Sequence, residues 1–201
     1  MEEKMGRRER KKMQSRKAIL DAAVEQFSQK GFKETSVADI MNAADLGIGT
    51  FYNYFQSKEE ILVQLIQQMV TEVAEALREL KAANRPADEL LEAGCRITAC
   101  FLDKNRYVLP LFISAAEHSG LPEGSDKQPK VASPGFKGLY ERILREGQER
   151  GEIRQDVPPE LIAEMFHSIY QAAALSKLAI SFQENVEMKT RLILDGIRVR
   201  K

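Results

Sequence analysis

The sequence predicts an all-α chain, with a small N-terminal group of three helices ahead of a larger helical domain. Three observations predict it. Apolar residues recur at helical spacing along the whole chain, and no stretch alternates as a half-buried strand would. Only twelve glycines and seven prolines occur in 201 residues, and many of them fall between the periodic stretches. Serines followed three residues later by Asp or Glu stand just ahead of two of those stretches, the pattern of a capping box. A composition 43% hydrophobic and 30% charged suits a folded chain, and this length buries a core without covalent staples.

Each element has its own signal. Ile19, Ala22, Ala23 and Phe27 mark a first helix, with Gly31 as its stop. Val37, Ile40, Met41 and Ala44 mark a short second helix opened by Ser36 and Asp39. A third short helix is expected over 47–54, with Phe51 and Phe55 on its inner face. Ser57 and Glu60 then open a long helix with the stripe Leu62, Leu65, Ile66, Met69, Val73, Ala76, Leu77 and Leu80. Pro86 suits the first turn of the next helix, which reaches about residue 103. A helix over 106–118 is bent or restarted at Pro110, and three prolines and two glycines make 119–134 a long loop. Helices over 136–150, 159–182 and 186–199 complete the reading.

Several function classes drop out. The longest apolar stretch, 107–116, is half of what a membrane crossing needs and contains Pro110. The charged N-terminus has no apolar run behind it, so no secretory signal is expected. Cys95 and Cys100 cannot form a disulfide framework and, five residues apart, suit small buried residues better than a bridge; a cytoplasmic setting follows. His118 and His167 lack further ligands at metal spacing, so neither metal nor cofactor is expected. No nucleophile elbow or glycine-rich phosphate loop occurs, and the chain reads as no enzyme.

Net charge misleads. Thirty basic and thirty acidic residues cancel, which gives no hint of a nucleic-acid partner. Residues 1–17, however, hold eight bases (Lys4, Arg7, Arg8, Arg10, Lys11, Lys12, Arg16, Lys17) against three acids, net +5. Residues 1–58 carry net +3 and residues 59–201 carry net −3. A basic arm ahead of a mildly acidic body is either a solvated tail or a polyanion-binding end, and charge alone leaves both open.

Two short helices joined by Ala44, Asp45 and Leu46 have helix-turn-helix dimensions, in which the second helix enters the major groove. Thr50, Tyr52, Asn53 and Tyr54 crowd hydrogen-bonding groups onto that helix, while Gly47 and Gly49 leave room for close approach. Over 35–62, and more broadly from Arg16 to Leu65, the sequence resembles the DNA-binding signature of the tetracycline-repressor (TetR) family. The resemblance implies a flexible basic arm over 1–15, a DNA-binding helix-turn-helix domain over 16–57 and a helical effector-binding and dimerisation domain over 58–201. It also implies phosphate contacts from Ser36, Thr50, Tyr54 and Lys58, a phosphate or base contact from Tyr52, and operator-dependent positions at Ile48, Gly49 and Asn53. Asn53 can pair with adenine and Ile48 can meet a thymine methyl. The sequence departs from the family at Asp45, in place of the usual turn glycine, and at Ile48, often polar there. No Lys or Arg lies in 47–55, so phosphate attraction falls to Lys58, to helix N-termini and to the arm.

The expected function is a sequence-specific transcriptional regulator: a homodimeric repressor, released from a near-palindromic double-stranded operator by a small apolar or amphipathic effector. The alternatives are a TetR-like activator, or a small helical ligand-binding protein or enzyme without a DNA role. In the helix expected over 159–182, Leu161, Met165, Ile169 and Ala173 lie on one stripe with Ile162, Phe166 and Tyr170, and His167, Gln171, Ala174 and Leu178 lie on another. The second stripe, with Met188 and Leu192, is the expected dimer interface. Cys100, Phe101, Tyr107, Phe112, His118, Tyr140, Phe166 and Tyr170 are the candidates for an effector pocket, with Arg96 and Asp103 as possible polar anchors.

Overall fold

The computed structural model describes residues 6–117 and 136–199. All the regular elements among the described residues are helices, with no strand beyond one isolated antiparallel bridge between Ile153 and Arg198. The helices are α1 (Arg7–Lys30), α2 (Val37–Ala43), α3 (Ile48–Phe51), α4 (Lys58–Ala82), α5 (Ala87–Lys104), α6 (Leu109–Glu117), α7 (Phe136–Glu149), α8 (Pro159–Ala174) and α9 (Phe182–Ile197). They divide into two units. Of the described residues, the head holds 6–65 together with 105–108, and the body holds 66–104, 109–117 and 136–199. Helix α4 is continuous through the boundary.

In the head, Ile19, Ala23, Phe27, Ile40, Met41, Phe51, Phe55 and Ile61 are all but fully buried. α1 ends at Gly31, whose φ of 86° is open to a residue without Cβ, and whose N–H caps Phe27 O at 3.0 Å. α2 opens on the expected capping box. The Asp39 N–H donates to Ser36 Oγ at 3.1 Å, and Asp39 Oδ2 accepts from the Ser36 N–H at 2.9 Å. Between α2 and α3 the chain turns at Asp45 with φ 53°, the left-handed geometry a short polar side chain tolerates.

The body packs α5 against α7 and α9, and α8 against the same two helices. Gly94 in α5 has a packing reason: a Cβ there would lie 2.6 Å from Tyr140 Oη. Tyr140 and Tyr170 are fully buried, and burial pushes both hydroxyls well above their ordinary titration range.

Four sequence expectations change. α1 begins at Arg7, so most of the arm expected as flexible over 1–15 is the opening of a helix. The third helix is a single turn, because after Phe51 the ladder tightens: Asn53 and Tyr54 donate to Thr50 O and Phe51 O, three residues back. The helix expected over 159–182 ends at Ala174, which puts Leu178 in the connection that follows. α9 starts at Phe182 rather than 186, on a box in which Ser181 Oγ accepts from the Glu184 N–H. Pro110 sits in the first turn of α6, after a single 3-10 turn at Arg106–Val108, so the helix restarts there rather than bends. His118 and the loop expected over 119–134 lie outside the described residues.

Candidate nucleic-acid interface

The head presents its second short helix outward. Phe51 and Phe55 fill the core with ring centroids 5.6 Å apart, which turns the opposite side of the same turn to solvent. Ile48 is 52% exposed and Tyr52 63%, unusual for large side chains on so small a unit. Gly47, Gly49 and Asn53 are exposed beside them, and Thr50 and Tyr54 are half-buried. A Cβ at Gly47 or Gly49 would meet nothing within 4 Å, so neither glycine answers to a contact inside the chain. The result is a compact patch with an apolar methyl surface, a phenol, an amide and two stretches of bare backbone. That set can read a duplex groove: amide to base edge, alkyl to thymine methyl, backbone N–H and hydroxyl to phosphate.

Two expected phosphate ligands are engaged elsewhere. Ser36 is exposed, yet its hydroxyl donates to Asp39 Oδ2 at 2.5 Å while accepting from the Asp39 N–H. Lys30, 2.7 Å from the same carboxylate, and Ser36 hold Asp39 far below the usual carboxylate range, so the cap is charged at any working pH. Lys58 points inward. Its ammonium donates to Phe32 O at 2.8 Å, Lys33 O at 3.2 Å and Thr35 O at 2.8 Å, and lies 4.6 Å from the centroid of the Phe32 ring. An ammonium has three donors, and all three are placed. A phosphate contact at Lys58, as expected from the sequence, would compete with these three carbonyls.

The arm's bases fare differently. Arg7, Arg8, Lys11, Lys12 and Lys17 are exposed along the first half of α1, whereas Arg16 is pinned. Its guanidinium donates to Gln64 Oε1 at 2.6 Å and lies 5.7 Å from the Phe55 ring centroid. The box expected at Ser57 and Glu60 is shifted by one residue, with Glu60 accepting from the Gln56 N–H at 2.7 Å.

In the body the structure brings some pocket candidates together and separates others. The Phe112 ring stacks on His167 at 4.9 Å and meets Tyr170 edge-on at 5.4 Å, while Tyr140 and Phe166 lie 5.6 Å apart. Together they form a closed aromatic cluster beside Cys95, whose Sγ accepts from Tyr140 Oη at 3.5 Å. Burial pushes the Cys95 thiol up and the His167 imidazole down, so both are neutral near pH 7. Cys100 and Phe101 are half-buried. Asp103 accepts from Gln183 at 2.9 Å. Tyr107 belongs to the head: its ring meets Phe27 at 5.4 Å, its hydroxyl donates to Asn105 at 2.7 Å, and burial pushes that hydroxyl up to about 12. An open groove of about 700 Å³ lies between α5 and α9, lined by charged side chains that include Arg96. No helix among the described residues is long and apolar enough to cross a membrane.

Of the expected dimer residues, Met188 and Leu192 are 54% and 73% exposed on α9. Gln171 is exposed, Ala174 is half-buried, and Leu178 is exposed beyond the end of α8. His167 is turned inward by its stack on Phe112, so it leaves that face. The exposed apolar side chains of α8 and its end are instead Leu161, Met165 and Leu175, and that side was not distinguished in the sequence because Leu161 and Met165 adjoin the buried Ile162 and Phe166.

Comparison with known proteins gives concordant results. Residues 19–65 match the model of bacterial regulatory proteins, tetR family. The repressor DhaR of Mycobacterium sp. (strain GP1), an HTH-type transcriptional repressor, is 26% identical over 161 residues, 80% of each chain. The fatty acid metabolism regulator protein of Bacillus subtilis is 27% identical over 147 residues, 73% of this chain and 75% of its own. Among solved structures, Thermus thermophilus FadR, a TetR-family repressor in complex with lauroyl-CoA, is 28% identical with a TM-score of 0.65, covering 92% of this chain and 96% of its own.

Proposed function

We propose that this chain is a DNA-binding transcriptional regulator of the tetR family, a homodimeric cytoplasmic repressor released from its operator by a fatty acyl-CoA; the match of residues 19–65 to that family's model and the likeness to DhaR and FadR support the reading. The observation that carries the DNA reading is the outward patch of Ile48, Tyr52 and Asn53 over an aromatic core, inside the segment that matches the family model. Asn53 and Ile48 would read base edges, and Thr50, Tyr52, Tyr54 and the bare backbone at Gly47 and Gly49 would take phosphates. Two such heads about 34–36 Å apart in a two-fold dimer require a near-palindromic site.

The effector class is supported by the lauroyl-CoA bound to the FadR relative; the aromatic cluster of α6, α7 and α8 is closed and would have to open to admit an acyl chain. Acyl-CoA and operator would exclude each other by a coupling of roughly 1–3 kcal/mol or more, carried along α4.

A mobility-shift assay on DNA upstream of the protein's own gene tests both halves. The chain is expected to shift one near-palindromic fragment, Tyr52→Ala to bind it about tenfold more weakly, and Asn53→Ala to lose discrimination at one base pair per half-site. Long-chain acyl-CoA should release the fragment and free CoA should not. Binding unaffected by Tyr52→Ala removes the proposed reading patch, and release by free CoA alone removes the acyl specificity.

A further inference from the structure

We propose that Lys58 is a positioning residue for DNA recognition, an internal tie that sets the helix-turn-helix against α4, and not a ligand of the phosphate backbone. Residues 32–36 connect α1 to α2, and three carbonyls of that connection, Phe32 O, Lys33 O and Thr35 O, converge on one ammonium at 2.8, 3.2 and 2.8 Å. The Phe32 ring adds its face at 4.6 Å. Carbonyls turned toward one point leave a strongly negative spot, and a compact cation with three rotatable donors is the side-chain end that fills it.

Thr35 holds the same connection from the other side. Its buried hydroxyl donates to Gly31 O at 2.8 Å and approaches Gln26 O at 3.2 Å. The next residue, Ser36, is the N-cap of α2. Lys58 is the first residue of α4, so one ammonium fixes the start of the long helix to the start of α2. α2 packs on α3, so the tie sets the placement of Ile48, Tyr52 and Asn53 without touching DNA. A phosphate contact would require the ammonium to leave three carbonyls and a ring face for one partner that α1 can supply with exposed bases such as Arg8 and Lys12.

The inference rests on the DNA-binding reading, and the two fail separately: a wild-type chain that binds no duplex ends that reading before Lys58 is tested. The test measures operator affinity of Lys58→Met and Lys58→Arg across a salt series, alongside affinity for unrelated duplex DNA. A positioning role predicts that both variants lose about tenfold or more on the operator, since Arg restores charge but not a three-donor point fit. It further predicts an unchanged slope of log affinity against log salt, and affinity for unrelated DNA within about twofold of wild type. Wild-type affinity in Lys58→Arg, with a slope reduced by about 0.9 in Lys58→Met, would establish a phosphate contact and overturn the proposal. Wild-type affinity in both variants overturns it as well. Parallel loss on operator and unrelated DNA overturns it in favour of a role in folding alone.

Discussion

At the scale of single residues, two positions show the backbone and the side chain in competition. Asp45 holds φ 53° where a glycine would sit without strain. Asp45→Gly should therefore stabilise the head by about 0.5–1 kcal/mol, raising the midpoint of thermal unfolding by a few degrees, and Asp45→Val should lower it. A lower midpoint in Asp45→Gly would mean that the carboxylate holds the turn through a contact worth more than the strain. Gly94 is the opposite case, a helical glycine kept by its neighbour. Gly94→Ala forces Tyr140 from a site 2.6 Å away, and the expected loss is about 1–3 kcal/mol in calorimetry or denaturant titration. Legibility at this scale depended on where the partner lies. The Ser36 and Asp39 box and the inward Phe51 and Phe55 were readable because their partners lie within four residues. The internal bonds of Lys58 were not legible because its acceptors are backbone carbonyls 23–26 residues away, and every residue type offers the same carbonyl.

At the scale of elements, α1 carries an electrostatic conflict. Arg7 and Lys11, Arg8 and Lys12, and Lys12 and Arg16 stand at i, i+4, and the cluster occupies the helix end where the peptide dipoles are already positive. Phosphates along a duplex would relieve both terms, so the exposed opening of α1 should contribute to affinity through charge. Deleting residues 1–12 is expected to weaken operator binding and to flatten its salt dependence; an unchanged slope would show that this end of α1 makes no phosphate contact. The boundaries of α8 and α9 show what periodicity conceals. Apolar spacing ran on past Ala174, while the true restart was marked by Ser181 and Glu184, the same serine–carboxylate spacing that was recognised at Ser36. A capping box outranks an apolar run as a boundary signal because it satisfies specific backbone N–H groups that a run of side chains leaves open.

At the scale of the whole molecule, Leu161, Met165 and Leu175 of α8 and its end, and Met188, Leu192 and Val199 of α9 and the residues after it, are exposed apolar side chains that the proposed dimer would cover. Leu192→Glu should give a monomer in sedimentation and lose operator affinity, because each head would then bind only one half-site. A dimeric Leu192→Glu chain would place the interface elsewhere. Among the described residues the all-α architecture and the order of the helices were legible, because each helix carries its own period. The assignment of 105–108 to the head was not, because nothing local to Tyr107 announces that Phe27, eighty residues earlier, is its partner.

That partnership makes the head a discontinuous object. A fragment cut after Leu65 would keep every residue of the reading surface and still leave Phe27 bare on the side that Tyr107 covers. The head is thus not a detachable cassette. Grafting it onto a foreign body, or trading bodies between relatives by a single crossover within α4, would sever a residue from its seat, and only exchanges that carry the α5–α6 turn along with the first 65 residues conserve the unit intact.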